Sequence, residues 1–269
     1  MTLFRSLTNW MKERSSLLGE ETLGFIPTMG ALHEGHLSLV RLSKQNNTKT
    51  LVSLFINPTQ FDKPQDLKSY PKNFDRDLEL LESEGVDYVL LPEYTDLYPD
   101  SYKYKVSESD FSQKLCGAHR PGHFDGVLSI MLKLLNIAQA HNCYMGEKDH
   151  QQLTLVKGMT KAFFMKTQVI SGPTIREASG LAMSSRNERL SPEARTKASQ
   201  IYKTLKEKKS SEDCLTELTH LGFDVDYVED HNGRRYAAAS IEGVRLIDNI
   251  SLETITNKNP IESCKRGLI

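Results

Sequence analysis

FIPTMGALHEGHLSLV, residues 25–40, starts as a buried strand and finishes as the first turns of an amphipathic helix. Phe25 and Ile26 open an apolar run that Pro27 and Gly30 break, and Leu37, Leu39 and Val40 resume apolar spacing. Gly30 permits a tight turn at the carboxyl end of the strand, and Gly35 lets another molecule approach the backbone. With a helix opening at His36, its unpaired N–H groups and positive dipole end make a favourable site for phosphate. His33 and His36 can donate to phosphate oxygens there and carry positive charge when protonated. H-E-G-H is not the H-E-x-x-H zinc pattern, because its histidines are three apart and a glycine weakens the helix where ligands would be needed. Two readings stand at this point: a phosphate site, or two surface histidines in an ordinary loop.

Outward from this stretch, short apolar runs alternate with helical spacing. LGFIP (23–27), LVSLFI (51–56), VDYVLLP (86–92), CYMG (143–146) and TQVIS (167–171) read as buried strands. Leu78 and Leu81 belong to a helix ending near Gly85, and Val127, Ile130, Met131, Leu134 and Ala138 mark another. Such alternation predicts an α/β fold, a Rossmann-like doubly wound parallel sheet with helices on both faces. The last third differs. SPEARTKASQIYKTLKEKK (191–209) predicts one helix capped by Ser191. FDVDYVE (223–229), RYAAASI (235–241) and VRLIDNI (244–250) predict a small sheet. The expected division is residues 1–174 as the larger domain and 175–269 as a smaller α+β domain. Trp10 is expected to pack within an N-terminal helix.

Composition narrows the function classes. The 269 residues carry 34 Lys plus Arg against 35 Asp plus Glu, a balance that argues against a nucleic-acid surface or an anionic membrane partner. Cys116, Cys143, Cys214 and Cys264 are widely spaced with no C-x-x-C pair, which points to a reducing compartment. The most apolar stretch, 127–140, is interrupted by Lys133 and Asn136 and is too short to span a bilayer. The N-terminus lacks the apolar region of a signal peptide. A cytoplasmic protein is expected.

Three more stretches bear polar groups near strand ends or in Ser-rich turns. GLAMSSRNERLS (180–191) offers two hydroxyls and a guanidinium within Met183–Arg186, suited to a polyphosphate, though Ser-rich turns with one Arg are common. MGEKDHQQL (145–153) follows CYMG, at the strand end where doubly wound sheets bind ligands. Lys148 can meet phosphate there, Asp149 can accept from ribose hydroxyls, and Gln152 can bond a small polar substrate; a charged, solvated loop is the plain alternative. FINPTQF (55–61) places Asn57 and Gln60 past another strand, where Asn-Pro is an ordinary turn signal.

Together, PTMGALHEGH (27–36), NPTQF (57–61), YP (70–71), LYPD (97–100), CGAHRPGHFDGV (116–127), GEKDHQQ (146–152) and GLAMSSRN (180–187) resemble the pantothenate synthetase family along nearly the whole chain. PTMGALHEGH is similar to the H-I-G-H box of class I nucleotidyltransferases, and MSSR to their K-M-S-K-S loop. The resemblance implies ATP-dependent ligation of (R)-pantoate and β-alanine to pantothenate, AMP and diphosphate through pantoyl adenylate, with Mg²⁺ accompanying ATP. This is a step of vitamin B5 and coenzyme A biosynthesis.

By the same resemblance, Met29, Gly30, Ala31, Leu32, His33, Glu34, Gly35 and His36 line the ATP site with Gly146, Glu147, Lys148 and Asp149. Ile175, Met183, Ser184, Ser185 and Arg186 complete it. Gln60 and Gln152 hold pantoate, and Asn57 and Gln60 meet β-alanine. His36, His33, Lys148 and Arg186 are the expected catalytic groups. A homodimer is implied, as is a C-terminal domain that begins with the MSSR loop and closes over the site. The sequence departs from the family at Lys72, commonly Arg, and at Arg76, where some relatives are acidic near the metal. No metal ligand is therefore assigned, Asp77 remaining a candidate. Arg120, His123 and Lys103 are open between the site, the surface and a subunit contact. Residues 62–77, rich in Lys, Asp and Pro, are expected to form a mobile cover that keeps water out.

Rival readings are another nucleotidyltransferase, which leaves NPTQF and HRPGHF unexplained, and a non-catalytic binding relative, which is expected to lack His33, His36, Lys148 or Arg186.

Overall fold

The computed structural model describes residues 1–16 and 21–253. One compact unit takes in Met1–Glu177 together with Ala182–Arg189. Its strands are β1 (Thr2–Phe4), β2 (Leu23–Thr28), β3 (Lys49–Leu54), β4 (Tyr88–Leu90), β5 (Asn142–Gly146) and β6 (Gln168–Gly172). They form one parallel sheet in the order β1-β4-β3-β2-β5-β6. The five strands expected from the sequence are β2 to β6. β1 is the addition, too short to show a periodicity and set at the sheet edge beside β4.

From β2 the chain order runs through β3 to β4 on one side, and from β5 to β6 on the other. The reversal between β2 and β5 is the topological switch point, whose crevice at the strand carboxyl ends is where open α/β sheets take ligands. The turns after Thr28 and after Gly146 both leave the sheet there.

Burial explains why these runs are strands. Leu23, Phe25 and Ile26 of β2 are at most 1% exposed, the continuous apolar run of a parallel strand covered on both faces. The helix Glu34–Asn46 lays Leu39 and Val40 into a core with Ile26, Val52, Leu54 and Val89. Burying a side chain of this size contributes about 1.5–3 kcal/mol. The helix Phe74–Ser83 opens where Asn73 accepts from the Arg76 N–H (3.2 Å) and closes before Gly85 at φ +66°. Trp10, in the helix Leu7–Ser16, packs edge-on against Phe4 and Tyr88 and donates to the Ile137 carbonyl at 2.8 Å.

The second unit comprises Ala178–Leu181 and the described residues from Leu190 onward. β7 (Asp224–His231), β8 (Arg234–Ile241) and β9 (Val244–Ser251) form an antiparallel sheet, close to the expected bounds. Ala237 and Ala239 share its core with Ile201, Leu205 and Leu218. The single helix expected over 191–209 is two, Pro192–Ala198 and Gln200–Glu207. At Ser199 the hydroxyl and the backbone N–H both turn to the Thr196 carbonyl (2.7 and 3.3 Å), which competes with the helical ladder. The expected division after residue 174 puts Met183–Arg186 at the head of the second domain; those residues pack on the first unit. Cys116, Cys143 and Cys214 are buried and none of them forms a disulfide with another described residue, and Cys264 lies outside the described residues. Among the described residues no helix is long and apolar enough to cross a membrane.

Candidate active site

The turn after β2 takes two consecutive left-handed residues, Gly30 (φ +77°) and Ala31 (φ +51°). Asp77, 1% exposed, holds it: Oδ2 accepts from the Ala31 N–H and Oδ1 from the Leu32 N–H, both at 2.8 Å. A Cβ on Gly30 would stand 2.9 Å from Asp77 Oδ2, so glycine is required by both conformation and space. Burial pushes the Asp77 carboxyl up from its ordinary range, and the two amides pull it back. This carboxylate, a candidate metal ligand by sequence, is engaged by the backbone.

The helix Glu34–Asn46 begins two residues earlier than expected because His33 caps it. The Gly35 N–H donates to His33 Nδ1 (3.2 Å), and the His33 N–H donates to His36 Nδ1 (3.4 Å). The two rings lie against each other, centroids 4.1 Å apart and planes tilted by 33°. With each Nδ1 an acceptor, each neutral imidazole carries its proton on Nε2. Burial lowers His33 to about 4, helped by the positive charge of Lys148 and opposed by Asp149. His36 falls well below its ordinary value through burial, then His33 and Lys148. Both rings are thus neutral N–H donors at pH 7 in the ligand-free protein, so of the two roles expected of them, donor and charge, the first is the one available here. Gly35 is also reassigned: a Cβ there would lie 2.9 Å from His33 Cε1, so the space serves the chain's own ring.

A stability prediction follows from the sign of the His33 shift. Between pH 6.5 and about 4 the unfolded chain binds a proton at this position that the folded chain refuses. The contribution is complete above pH 6.5 and is lost as pH falls towards 4. Urea melts at pH 7 and 5 should show a larger loss for the wild type than for His33→Asn; equal losses would remove His33 from the acid response.

Gly146 ends β5, and Glu147–Asp149 make one turn before the helix His150–Ala162. Lys148 Nζ is 3.7 Å from Asp149 Oδ2, and both are within electrostatic reach of His33. Gln151 is buried and braces the 111–116 loop, accepting from the Cys116 N–H (3.1 Å) and donating to the Phe111 and Lys114 carbonyls (2.8 Å each). Its neighbour Gln152 is half-buried.

Asn57 is 1% exposed and fully engaged. Its Nδ2 donates to Gln60 Oε1 (3.0 Å) and the Gly126 carbonyl (3.2 Å), while Oδ1 accepts from Thr59 Oγ1 (3.0 Å) and Tyr98 Oη (2.9 Å). In this arrangement Asn57 orients the Gln60 amide, whose Nε2 donates to Met29 Sδ at 3.1 Å. The Gln60 carbonyl accepts from Arg120 Nη2 (3.1 Å) and His123 Nδ1 (2.8 Å), and Arg120 Nε also donates to Asp62 (2.7 Å). Arg120 and His123 therefore brace the Gln60 turn. Lys103 is exposed on the turn after Asp100.

The Met183–Arg186 loop is tied to the chain after β6, where the Met183 N–H donates to the Ile175 carbonyl at 3.0 Å. Ser184 Oγ accepts from the Arg186 N–H (3.3 Å), and the buried Ser185 hydroxyl donates to Tyr70 Oη (3.4 Å). Both hydroxyls, expected to grip phosphate, have local partners here. Arg186 lies over the Tyr70 ring and donates to Asp66 Oδ2 at 2.8 Å; Arg189 donates to Asp66 Oδ1 at 2.9 Å. Lys72 and Arg76, the departures from the family pattern, are exposed, and Arg76 pairs with exposed Glu188 at 3.8 Å. Sequence reasoning missed Asp66, Arg189 and Tyr98; Arg189, three residues after Arg186 on one turn, is the only one that spacing could have flagged.

A switch-point crevice, an H-E-G-H helix cap and a Met-Ser-Ser-Arg loop on the same unit define an ATP-using enzyme of the nucleotidyltransferase fold. The chain belongs to the pantoate–β-alanine ligase family, whose model matches residues 2–251. A pantothenate synthetase of Bdellovibrio bacteriovorus is 49% identical over 243 residues, 90% of this chain and 95% of the relative. One of Legionella pneumophila is 49% identical over 252 residues, 94% of this chain and 100% of the relative. The pantoate–β-alanine ligase of Francisella tularensis, solved with β,γ-ATP and β-alanine, superposes with a TM-score of 0.90 at 39% identity, covering 94% of this chain and 98% of the other. The chain is a carbon–nitrogen ligase by family.

Proposed function

We propose that the protein condenses (R)-pantoate with β-alanine at the expense of ATP, through pantoyl adenylate. The observation that carries this reading is the pair of neutral, backbone-oriented histidines beside Lys148 at the switch point. The pantoate carboxylate, with an ordinary pKa near 4, is already ionised and attacks the α-phosphorus without a general base. A P–O bond forms and the bond to diphosphate breaks. The obstacle is charge, since an anion approaches a triphosphate. His33 and His36 offer Nε2–H donors, and Lys148 and Arg186 offer positive charge, aimed where negative charge grows.

ATP enters as its Mg²⁺ complex. Among the described residues no three His, Cys, Asp or Glu side chains converge as a metal cage, which suits an ion carried by phosphate oxygens and water. When bound, the ion neutralises phosphate charge. Met29 to His36, Gly146 to Asp149, Ile175 and Met183 to Arg186 line the nucleotide, with Asp149 accepting from ribose. Gln60 and Gln152 hold pantoate, and β-alanine arrives beside Gln60, with Asn57 acting on it through that amide.

In the second half-reaction the neutral amine of β-alanine attacks the acyl carbon, a C–N bond forms, and the C–O bond to AMP breaks. The ammonium, pKa about 10 when free, sheds its proton on binding. Holding adenylate and amine together supplies much of the acceleration. Residues 62–77 cover the intermediate against water. A cytoplasmic location and assembly as a homodimer belong to the same reading.

Product analysis by mass spectrometry tests the whole reading. With Mg²⁺-ATP, (R)-pantoate and β-alanine, pantothenate and AMP should appear in equal amounts. AMP without pantothenate would reassign the acceptor, and no turnover would reduce the chain to a nucleotide-binding relative.

A further inference from the structure

Asp66 lies on the short helix Pro64–Lys68, 120 residues before Arg186 in sequence. Each of its oxygens takes a different guanidinium, Oδ2 from Arg186 and Oδ1 from Arg189. The three side chains are about equally sheltered, 24%, 23% and 28% exposed. Burial acts to raise the Asp66 carboxyl, yet the two arginines hold it below its ordinary value. Arg186 is thus committed to a carboxylate in the ligand-free protein, although its proposed task is to meet phosphate. If Asp66 had no other partner, Arg186 could leave only by stranding a sheltered carboxylate in front of an arriving polyanion, an arrangement that costs more than an exposed pair is worth. The second arginine removes that difficulty.

We propose that Asp66 and Arg189 are positioning residues for Arg186: Asp66 holds Arg186 while the site waits, and Arg189 keeps Asp66 neutralised once Arg186 turns to the triphosphate. Arg189 lies on the same turn as Arg186, so the exchange needs a side-chain rotation and no shift of the 185–189 backbone. The pairing also ties the 62–77 segment to the Met-Ser-Ser-Arg loop, and Arg189 preserves that tie after the handover. The inference rests on the assignment of Arg186 to ATP phosphate made above.

The test is pantoate-dependent ATP–diphosphate exchange with the full chain, reading KM for ATP and kcat separately. Arg189→Gln leaves Arg186 as the only guanidinium on Asp66, so KM for ATP should rise about 5- to 20-fold with a smaller change in kcat. Asp66→Asn should leave KM for ATP equal to or below that of the wild type. The double variant Asp66→Asn/Arg189→Gln should return to within about twofold of Asp66→Asn, because the competing carboxylate is gone. Arg189→Lys keeps the charge and should stay near wild type, and thermal melts of each variant report folding separately. Additive losses in the double variant, or an unchanged KM in Arg189→Gln, would overturn the handover. Absence of pantoate-dependent exchange in the wild type would instead overturn the assigned reaction.

Discussion

Lys148→Ala is expected to slow pantoyl-adenylate formation by about 10²–10³-fold, the usual loss when one well-placed electrostatic group is removed. Lys148 follows β5 at the switch point, and its side chain is 19% exposed, where water screens its charge less than at the surface. Its carboxylate neighbour Asp149 stands 3.7 Å away, beyond hydrogen-bond distance. The same charge depresses both histidines, which places it in the field that a triphosphate would enter. Single-turnover formation of the adenylate is the measurement, with a thermal melt to show that the fold is kept. Turnover near that of the wild type would sink the assignment.

His36→Ala should cost a similar factor, about 10²–10³, by loss of one donor to the developing charge. This variant carries a structural penalty that Lys148→Ala does not. The His36 ring accepts from the His33 N–H, and loss of such a capping partner costs about 0.5–2 kcal/mol. The melt should therefore shift by a few degrees while the rate falls by orders of magnitude. His33→Ala separates the two effects, since it removes the other half of the cap and a different donor. Because both rings are neutral already, the wild-type adenylation rate should show no gain as pH falls from 8 to 6. A rise through that window would mean that an imidazolium does the work.

The sheet was legible because a parallel strand buried on both faces reads as an unbroken apolar run, and LGFIP, LVSLFI and CYMG all do. β1 was not, since Thr2–Phe4 carries no period and gains its strand geometry only from pairing with β4. The break at Ser199 depends on where one hydroxyl points, which helix propensity does not reveal. In the site, the motifs name candidate residues but do not reveal some of their states. The neutrality of His33 and His36 comes from burial beside Lys148, and the pairing of Asp66 with Arg186 and Arg189 spans too much sequence for local spacing to suggest. Asn57 illustrates the same limit: its residue type suited a ligand, and nothing in the local sequence announced that it also bonds Gln60, Tyr98 and the Gly126 carbonyl.

Asp77 gives the turn after β2 an unusual dependence. Two left-handed residues in succession would ordinarily fray first, as loop tips do. Here the Ala31 and Leu32 amides are clasped by a carboxylate on the Phe74–Ser83 helix, the Gly30 amide donates to Thr28 Oγ1, and that helix is anchored through Leu81 in the core with residues of β2, β3 and β4. The turn after β2 is in this way coupled to the helix. The Ala31 and Leu32 amide protons are therefore expected to exchange together with those of the helix rather than ahead of them, which hydrogen exchange would read.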